Sequence, residues 1–245
     1  MIKELEDHSW FKGIFRRFQA EYIGSIAKWF KLYEPLIPSF QKLIDENKLK
    51  AVHDLCSGSG IPAINMHEQM NGISKTILSD KFPVQYFINT NTITYSQLPV
   101  DVLLLDPQPA VCYTMYNSFH HFSTEEQKAV VKKMVMARSS FLIGEILTPG
   151  IFTMIKIILT TTLLQLFTVP FVRPFSLLRL IFTYIIPVNL FTVTYDGIIS
   201  VMRSRTGKQY KTLLAGFPSP SYKISIDQYY SWKCKVVCIK GDPST

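Results

Sequence analysis

Two glycines and two acids in this sequence have the spacing of a site for an adenosine-containing ligand. The stretch Asp54-Leu55-Cys56-Ser57-Gly58-Ser59-Gly60 lies between an apolar, strand-like segment and a helix-like one. Glycines at such a turn let the backbone bend sharply and bring its N–H groups against a ligand. Asp80 closes the next apolar segment, twenty residues beyond Gly60, where a carboxylate can accept both hydroxyls of a ribose.

The glycine-rich stretch departs from the dinucleotide fingerprint G-x-G-x-x-G, because Cys56 stands at its first glycine and no residue matches the third. It resembles instead motif I, D-x-G-x-G-x-G, of the class I S-adenosylmethionine-dependent methyltransferases. Asp54, Gly58 and Gly60 match that motif, and Cys56 departs from it. The resemblance implies S-adenosylmethionine (SAM) as cofactor, with Asp54 and the loop from Cys56 to Gly60 at its methionine part and Asp80 at its ribose.

The resemblance covers about 130 residues, in 50–145 and 205–240. YNSFHHFSTEEQKAVVKKM (116–134) resembles the family's exit from the fourth strand, which implies Asn117 as a cofactor-binding residue, and SFLIGEI (140–146) resembles the fifth strand. The whole chain is also similar to a bacterial branch of the family with an apolar insertion. In that branch FVRPF, IFTY-x-IP and D-G-x-x-S-x-x-R recur, here at 171–175, 181–187 and 196–203.

Two acids compete for the family position that faces the adenine amino group. Asp106-Pro107 resembles the D-P-P-Y signature of amino-group methyltransferases, although Gln108 and Pro109 do not fit it. Alternatively, ITYSQLPVD (93–101) ends the third strand, and Asp101 takes the position. We favour Asp101, because the other interpretation leaves VCYTMYNSF (111–119) without a place in the sheet.

His120 and His121 open a helix at the edge of the predicted cleft. Either could act as a general base on an acceptor hydroxyl, because the pKa of histidine lies near neutrality. The alternative, which we rank somewhat higher, is that they are residues at the start of the helix that pack on the cofactor. No spacing of histidines and carboxylates along the chain indicates a metal site, so none is expected.

Short apolar runs alternate with helical periodicity after Lys50, which is typical of an α/β fold. With the resemblance, this predicts a Rossmann-like, mostly parallel seven-stranded sheet with helices on both faces and an antiparallel strand in a closing hairpin. Four parts follow: a helical cap (1–48), the cofactor-binding core (49–145), an apolar helical insertion (146–200) and a closing helix and hairpin (201–245). We expect the cap to pack on the core; its aromatic residues could instead line a substrate entrance.

The 245-residue chain has a net charge of +8, yet Ile146 to Tyr195 contains no acid. Within it, residues 151–169 approach the length of a bilayer span, whereas 180–193 are too few. The insertion is therefore a lid over the cleft, an element in the membrane interface or a hairpin through the bilayer, ranked in that order. Basic residues in or beside it are expected to meet anionic head groups: Arg173, Arg179, Arg203, Arg205 and Lys208.

The sequence thus predicts SAM-dependent methyl transfer to a small acceptor, apolar or lipid-like. Four cysteines without a C-x-x-C pair favour reduced thiols and a cytoplasmic protein. The apolar insertion and its basic residues could hold that protein at the inner face of the membrane. One alternative is a catalytically silent membrane-surface binding protein on the same fold. The other is a nucleic-acid methyltransferase, which the net charge suggests but the scattered bases disfavour.

Overall fold

The computed structural model describes residues 2–84, 90–230 and 234–243. Its strands are β1 (Ala51–Leu55), β2 (Lys75–Ser79), β3 (Ile93–Tyr95), β4 (Val111–Tyr116), β5 (Ser140–Glu145), β6 (Lys223–Tyr230) and β7 (Lys235–Asp242). They form one sheet in the order β3-β2-β1-β4-β5-β7-β6. The first five strands are parallel, and β7 runs antiparallel to both β5 and β6. The predicted fold class is confirmed.

Nine helices surround the sheet in the described ranges. They are α1 (Ile14–Trp29), α2 (Ile37–Glu46), α3 (Ile61–Gln69), α4 (Thr124–Met136), α5 (Ile151–Leu159), α6 (Gln165–Thr168), α7 (Leu177–Tyr184), α8 (Val188–Arg203) and α9 (Gly207–Leu214). Side chains alternate between two cores, as a pleated strand requires. On β7, Val236 and Cys238 join the core under α1, α2 and α3, whereas Val237 and Ile239 join the core under α4 and α9.

Two local predictions differ from the structure. The third strand ends at Tyr95 instead of running on to Asp101, and the chain between them forms a loop in which Pro99 has no N–H to donate to a sheet. Helix α4 begins with a capping box of Ser123 and Glu126, which the sequence pattern S-x-x-E predicts. The apolar pattern of this helix also predicts that Ala129 is buried, but the structure leaves it exposed.

The insertion has an inner and an outer side. Its inner side packs on α1, where Tyr22 and Ile26 share a core with Val169, Val172 and Val193. Its outer side leaves large apolar side chains in solvent, with Phe152 85%, Phe167 75%, Ile185 74% and Phe191 72% exposed. Helices α5 and α6 belong to one continuous helix, Ile151–Phe171, whose 21 residues could cross a membrane by length and composition. Helices α7 and α8 are bent by 76° relative to each other and would make a second span only if taken together.

A buried ion pair fastens the insertion to the cap. The guanidinium of Arg179 contacts the carboxylate of Glu21, with side chains 1% and 0% exposed, and it also donates to the Val172 carbonyl. The prediction that Arg179 meets head groups is therefore wrong, because the insertion folds this side chain inward. Arg203 and Arg205 also bind within the protein, whereas Arg173 and Lys208 are exposed.

We expect Arg179→Met to lower the free energy of unfolding by about 3 kcal/mol, because it removes the buried guanidinium that contacts the buried carboxylate of Glu21. Urea denaturation measures the loss. Lys42→Met is the control, since it breaks an exposed pair with Glu46 worth about 0.5 kcal/mol or less. Adding Glu21→Leu to Arg179→Met should recover stability. Equal effects of Arg179→Met and Lys42→Met would contradict this assignment.

Candidate active site

A cavity of about 630 Å³ lies at the carboxyl ends of the parallel strands, beneath the insertion. Its size suits a small-molecule ligand. One end is lined by the glycine-rich loop and by Asp80, and the other by Ile157, Leu164 and Val193 of the insertion. Helix α1 lines the side between them, with Tyr22 among its lining residues. The cap therefore both packs on the core and forms a wall of the cavity.

The glycine-rich loop turns through three left-handed residues, Cys56 (φ 55°), Gly58 (φ 51°) and Gly60 (φ 72°). A Cβ on Gly60 would lie 2.7 Å from Leu78 Cδ1, so any larger residue would require the buried Leu78 side chain to shift. Cys56 adopts the left-handed conformation that a glycine at this motif position allows freely. The departure from the motif thus changes the residue type and leaves the turn intact.

Asp80 anchors the loop from the end of β2. Its two carboxylate oxygens accept hydrogen bonds from the N–H groups of Gly58 and Phe82, each 2.9 Å long. Burial raises the pKa of Asp80, and those two amides oppose the shift. The structure therefore brings the second-strand acid and the glycine turn together, as their spacing suggested.

Asp54 lies beneath the loop rather than on the cavity wall. Its carboxylate accepts a 2.7 Å hydrogen bond from Thr114 Oγ1, and its main-chain carbonyl accepts one from Ser57 Oγ. Burial raises its pKa from 3.8 to about 7, although the bonds from Thr114 and Ser57 oppose that rise. Asp54 and Gly60, which caps α3, shape the loop without lining the cavity.

Asp101 and Asn117 both line the cavity, whereas Asp106 is exposed outside it. Asp101 pairs with Lys81 Nζ at 2.7 Å and accepts from the Leu103 amide. Although burial opposes the shift, these partners lower the pKa of Asp101. The main-chain N–H of Asn117 donates to the main-chain carbonyl of Gly144, 2.7 Å away. This bond fixes the end of β4 beside that of β5.

The two predicted histidines lie in different environments. His120 is 1% exposed and does not line the cavity; its Nδ1 lies 2.7 Å from Glu145 Oε2. In this position it cannot contact an acceptor in the cavity as a general base. His121 lines the cavity, with its Nδ1 2.9 Å from Asp7 Oδ1.

Carboxylates surround His121. Its Nε2 lies 3.5 Å from Glu4 Oε2 and 3.4 Å from Glu6 Oε1. Burial alone would lower the pKa of His121, but Glu4, Glu6 and the bond with Asp7 raise it to about 10. The imidazole is then charged at neutral pH and has no free lone pair with which to accept a proton. Burial also raises the pKa of Glu6 to about 8, although the positive charge of the nearby His121 opposes that rise.

Sequence reasoning missed these N-terminal acids. They are held by one face of α8, which carries the D-G-x-x-S-x-x-R motif. Leu5 N donates to Asp196, Ser200 Oγ donates to Glu4 Oε2 at 2.9 Å, and Arg203 donates to Asp7. The density of acids at 4–7, in a chain poor in acids, was the one available signal.

Comparisons with known proteins place this architecture. No protein-family model and no curated protein matches the sequence. The solved structure of the plantazolicin methyltransferase BpumL, with SAH bound, superposes with a TM-score of 0.56 at 9% identity, over 93% of this chain and 90% of that one. The chain has the fold of the class I SAM-dependent methyltransferases.

Two other solved structures align over less of their own length. LaPhzM gives a TM-score of 0.50 at 13% identity, over 91% of this chain and 61% of its own. Human N-acetylserotonin methyltransferase, solved with SAM, gives 0.49 at 16% identity and 87% coverage. This chain spans 53% of the human enzyme's length.

We expect Asp54→Asn to change how stability depends on pH. The folded state holds the Asp54 proton up to about pH 7, whereas an unfolded aspartate releases it near 3.8. The stability that Asp54 contributes is therefore present below about pH 4 and is lost as pH rises to about 7. Asparagine cannot ionise, so relative to wild type the variant should gain stability between pH 4.5 and 7.5, measured by urea denaturation without ligand. The exposed Asp45→Asn is the control; parallel curves for wild type and Asp54→Asn would refute the assignment.

Proposed function

We propose that this protein transfers a methyl group from SAM to a small apolar or lipid-like acceptor. The observation that carries the proposal is one continuous cavity, with the glycine-rich loop at one end and the apolar insertion at the other. In open α/β sheets, ligands bind outside the carboxyl ends of the strands, where this cavity lies.

The loop end has groups that fit SAM. Each Asp80 oxygen accepts one hydrogen bond from the backbone and retains a lone pair for a ribose hydroxyl. Asp101, on the neighbouring loop, faces the same cavity and would accept a hydrogen bond from the adenine amino group. Cys56, Gly58 and Asn117 would lie along the methionine part.

The other end suits an apolar acceptor. Its walls include Ile157, Leu164, Val193 and, from α1, Tyr22 and Ile26. SAM supplies an electrophilic methyl group on a sulfonium. What the chain contributes is alignment of the acceptor and exclusion of water, which an apolar cover over the strand ends provides.

Asp80→Asn should weaken binding of S-adenosylhomocysteine (SAH), the demethylated cofactor, at least tenfold in calorimetry. The reason is that a charge-assisted hydrogen bond contributes about 1.5–3 kcal/mol. Asp106→Asn, at the acid that competed with Asp101 and lies exposed outside the cavity, should leave the affinity unchanged. Wild type should also transfer labelled methyl from SAM into a membrane lipid extract.

Failure of SAH to bind at millimolar concentration, while a nicotinamide or flavin nucleotide binds, would overturn the cofactor assignment. Binding of SAH without any methyl transfer would instead favour the catalytically silent membrane-surface protein. Loss of affinity in Asp106→Asn but not in Asp80→Asn would show that the loop after β3 holds the ligand differently.

The proposal includes contact with a membrane surface through the outer side of the insertion. Soluble proteins rarely expose apolar patches beyond a few hundred Å². Here Phe152 and Phe167 lie on the same exposed side of one helix, beside a shallow groove that also involves Ile155, Leu159 and Leu163. Arg173, at the end of this helix, is exposed and available to anionic head groups.

Replacing Phe152 and Phe167 together by glutamine should reduce sedimentation with anionic vesicles at least tenfold. Burying each phenylalanine in lipid contributes about 1.5–3 kcal/mol. The matched control replaces Leu98 and Leu104, which are 76% and 82% exposed but lie outside the insertion. If the phenylalanine variant changes the oligomeric state and wild type ignores vesicles, the apolar side is an interface between copies instead. Extraction only by strong detergent would indicate a spanning hairpin.

A further inference from the structure

Three potential metal ligands converge at the wall of the cavity, where the sequence predicted no metal site. The ligand atoms of Glu4, His120 and His121 all lie within 4.8 Å of one another. His120 Nε2 is 3.7 Å from Glu4 Oε1, and His121 Nε2 is 3.5 Å from Glu4 Oε2. Two donors bound to one zinc ion at tetrahedral angles are about 3.4 Å apart. The spacing is thus close to that of a coordination sphere.

Two of the atoms that face this point have unmet hydrogen-bonding capacity. Glu4 Oε1 and His120 Nε2 are buried and have no hydrogen-bond partner among the residues that the structure describes. Both residues are 1% exposed, so bulk water does not reach them. Leaving a buried polar atom unsatisfied is unfavourable, and more so for a charged group. A cation bound between them would satisfy both atoms.

Both imidazole rings are oriented as metal-binding histidines usually are. Each has its Nδ1 on a carboxylate, His120 on Glu145 at 2.7 Å and His121 on Asp7 at 2.9 Å. Such a partner fixes the ring and the tautomer, so that the Nε2 lone pair points away from it. Here both Nε2 atoms point towards Glu4.

The charge of the surroundings suits a cation. Glu4, Glu6, Asp7, Glu145 and Asp196 lie in or around the cluster. The nearby guanidiniums are those of Arg16 and Arg203. Arg16 is bound to main-chain carbonyls, and Arg203 is bound to Asp7 and to the His120 carbonyl, with one nitrogen 3.6 Å from Glu4 Oε1. With neutral imidazoles, these five carboxylates outnumber the two guanidiniums.

We propose that Glu4, His120 and His121 bind a divalent transition-metal ion, with Glu6 near enough to supply a fourth ligand. Two imidazoles with carboxylate favour zinc, iron, cobalt or nickel over magnesium and calcium, which prefer oxygen ligands throughout. Binding displaces the proton from His121, because only a neutral imidazole ligates. Glu4 and His121 line the cavity, so a small molecule bound there would lie beside the ion. The metal site itself does not depend on the proposed methyl transfer. Only a role for the ion in binding an oxygen atom of the acceptor would depend on it.

The test uses the full-length protein, stripped with a chelator. Titration with Co²⁺ should give a visible absorption band that saturates at one ion per chain, and Zn²⁺ should bleach it. Glu4→Gln keeps the side-chain shape and the bond from Ser200, and should weaken Co²⁺ binding at least tenfold. Asp7→Asn keeps all the proposed ligands but weakens the contacts of the Asp7 carboxylate with His121 and Arg203, so it should weaken Co²⁺ binding less. His67→Gln, at a histidine outside the cavity, should not change it.

Absence of a saturable band in wild type would overturn the site and leave the cluster as a proton-linked structural network. Equal affinity in wild type and Glu4→Gln, both folded by circular dichroism, would also overturn it. Because Co²⁺ binding is read without SAM or acceptor, a failure of the proposed methyl transfer would leave this result unaffected. Conversely, SAH binding with no cobalt band would refute the metal site alone.

Discussion

The burial of carboxylates against one face of α8 is the constraint on which the architecture around the cavity depends. Asp196, Ser200 and Arg203 of α8 form hydrogen bonds with the N-terminal segment at residues 4–7 and hold it in place. That segment closes one side of the cavity and brings its acids to the histidines after β4. Without these hydrogen bonds, several charges would be buried uncompensated, which is far more costly than exposing them.

The same principle joins the two parts that do not belong to the common sheet. Glu21 of α1 and Arg179 of α7 are buried together, and Gln19 of α1 donates to Asp196 of α8. Cap and insertion are thus tied by charge and hydrogen bonds on the inside and by apolar contacts beside them. Buried pairs of this kind add little net stability, but breaking one partner is costly. They therefore specify how the insertion sits over the cavity.

The sheet and the glycine-rich loop could be predicted because their signals are local: short apolar runs, a turn rich in glycine and an acid at a strand end. The cluster of Glu4 with His120 could not, because its members lie more than a hundred residues apart and no spacing joins them. Arg179 was misplaced for a related reason. Its neighbours in sequence are apolar and suggest a membrane face, but its partner Glu21 lies in the cap. Burial of charge is decided by tertiary contacts that local patterns do not contain.

The insertion helix has a further consequence for how an acceptor arrives. Lys156, Thr160 and Leu164 line both the cavity and the shallow groove on the exposed side, so a single layer of side chains separates the two. If the proposed membrane contact and lipid-like acceptor hold, the acceptor would pass from the bilayer to the cavity without crossing bulk water. Its encounter with the protein would then be a search in two dimensions, governed by the acceptor's mole fraction in the membrane rather than by its concentration in solution.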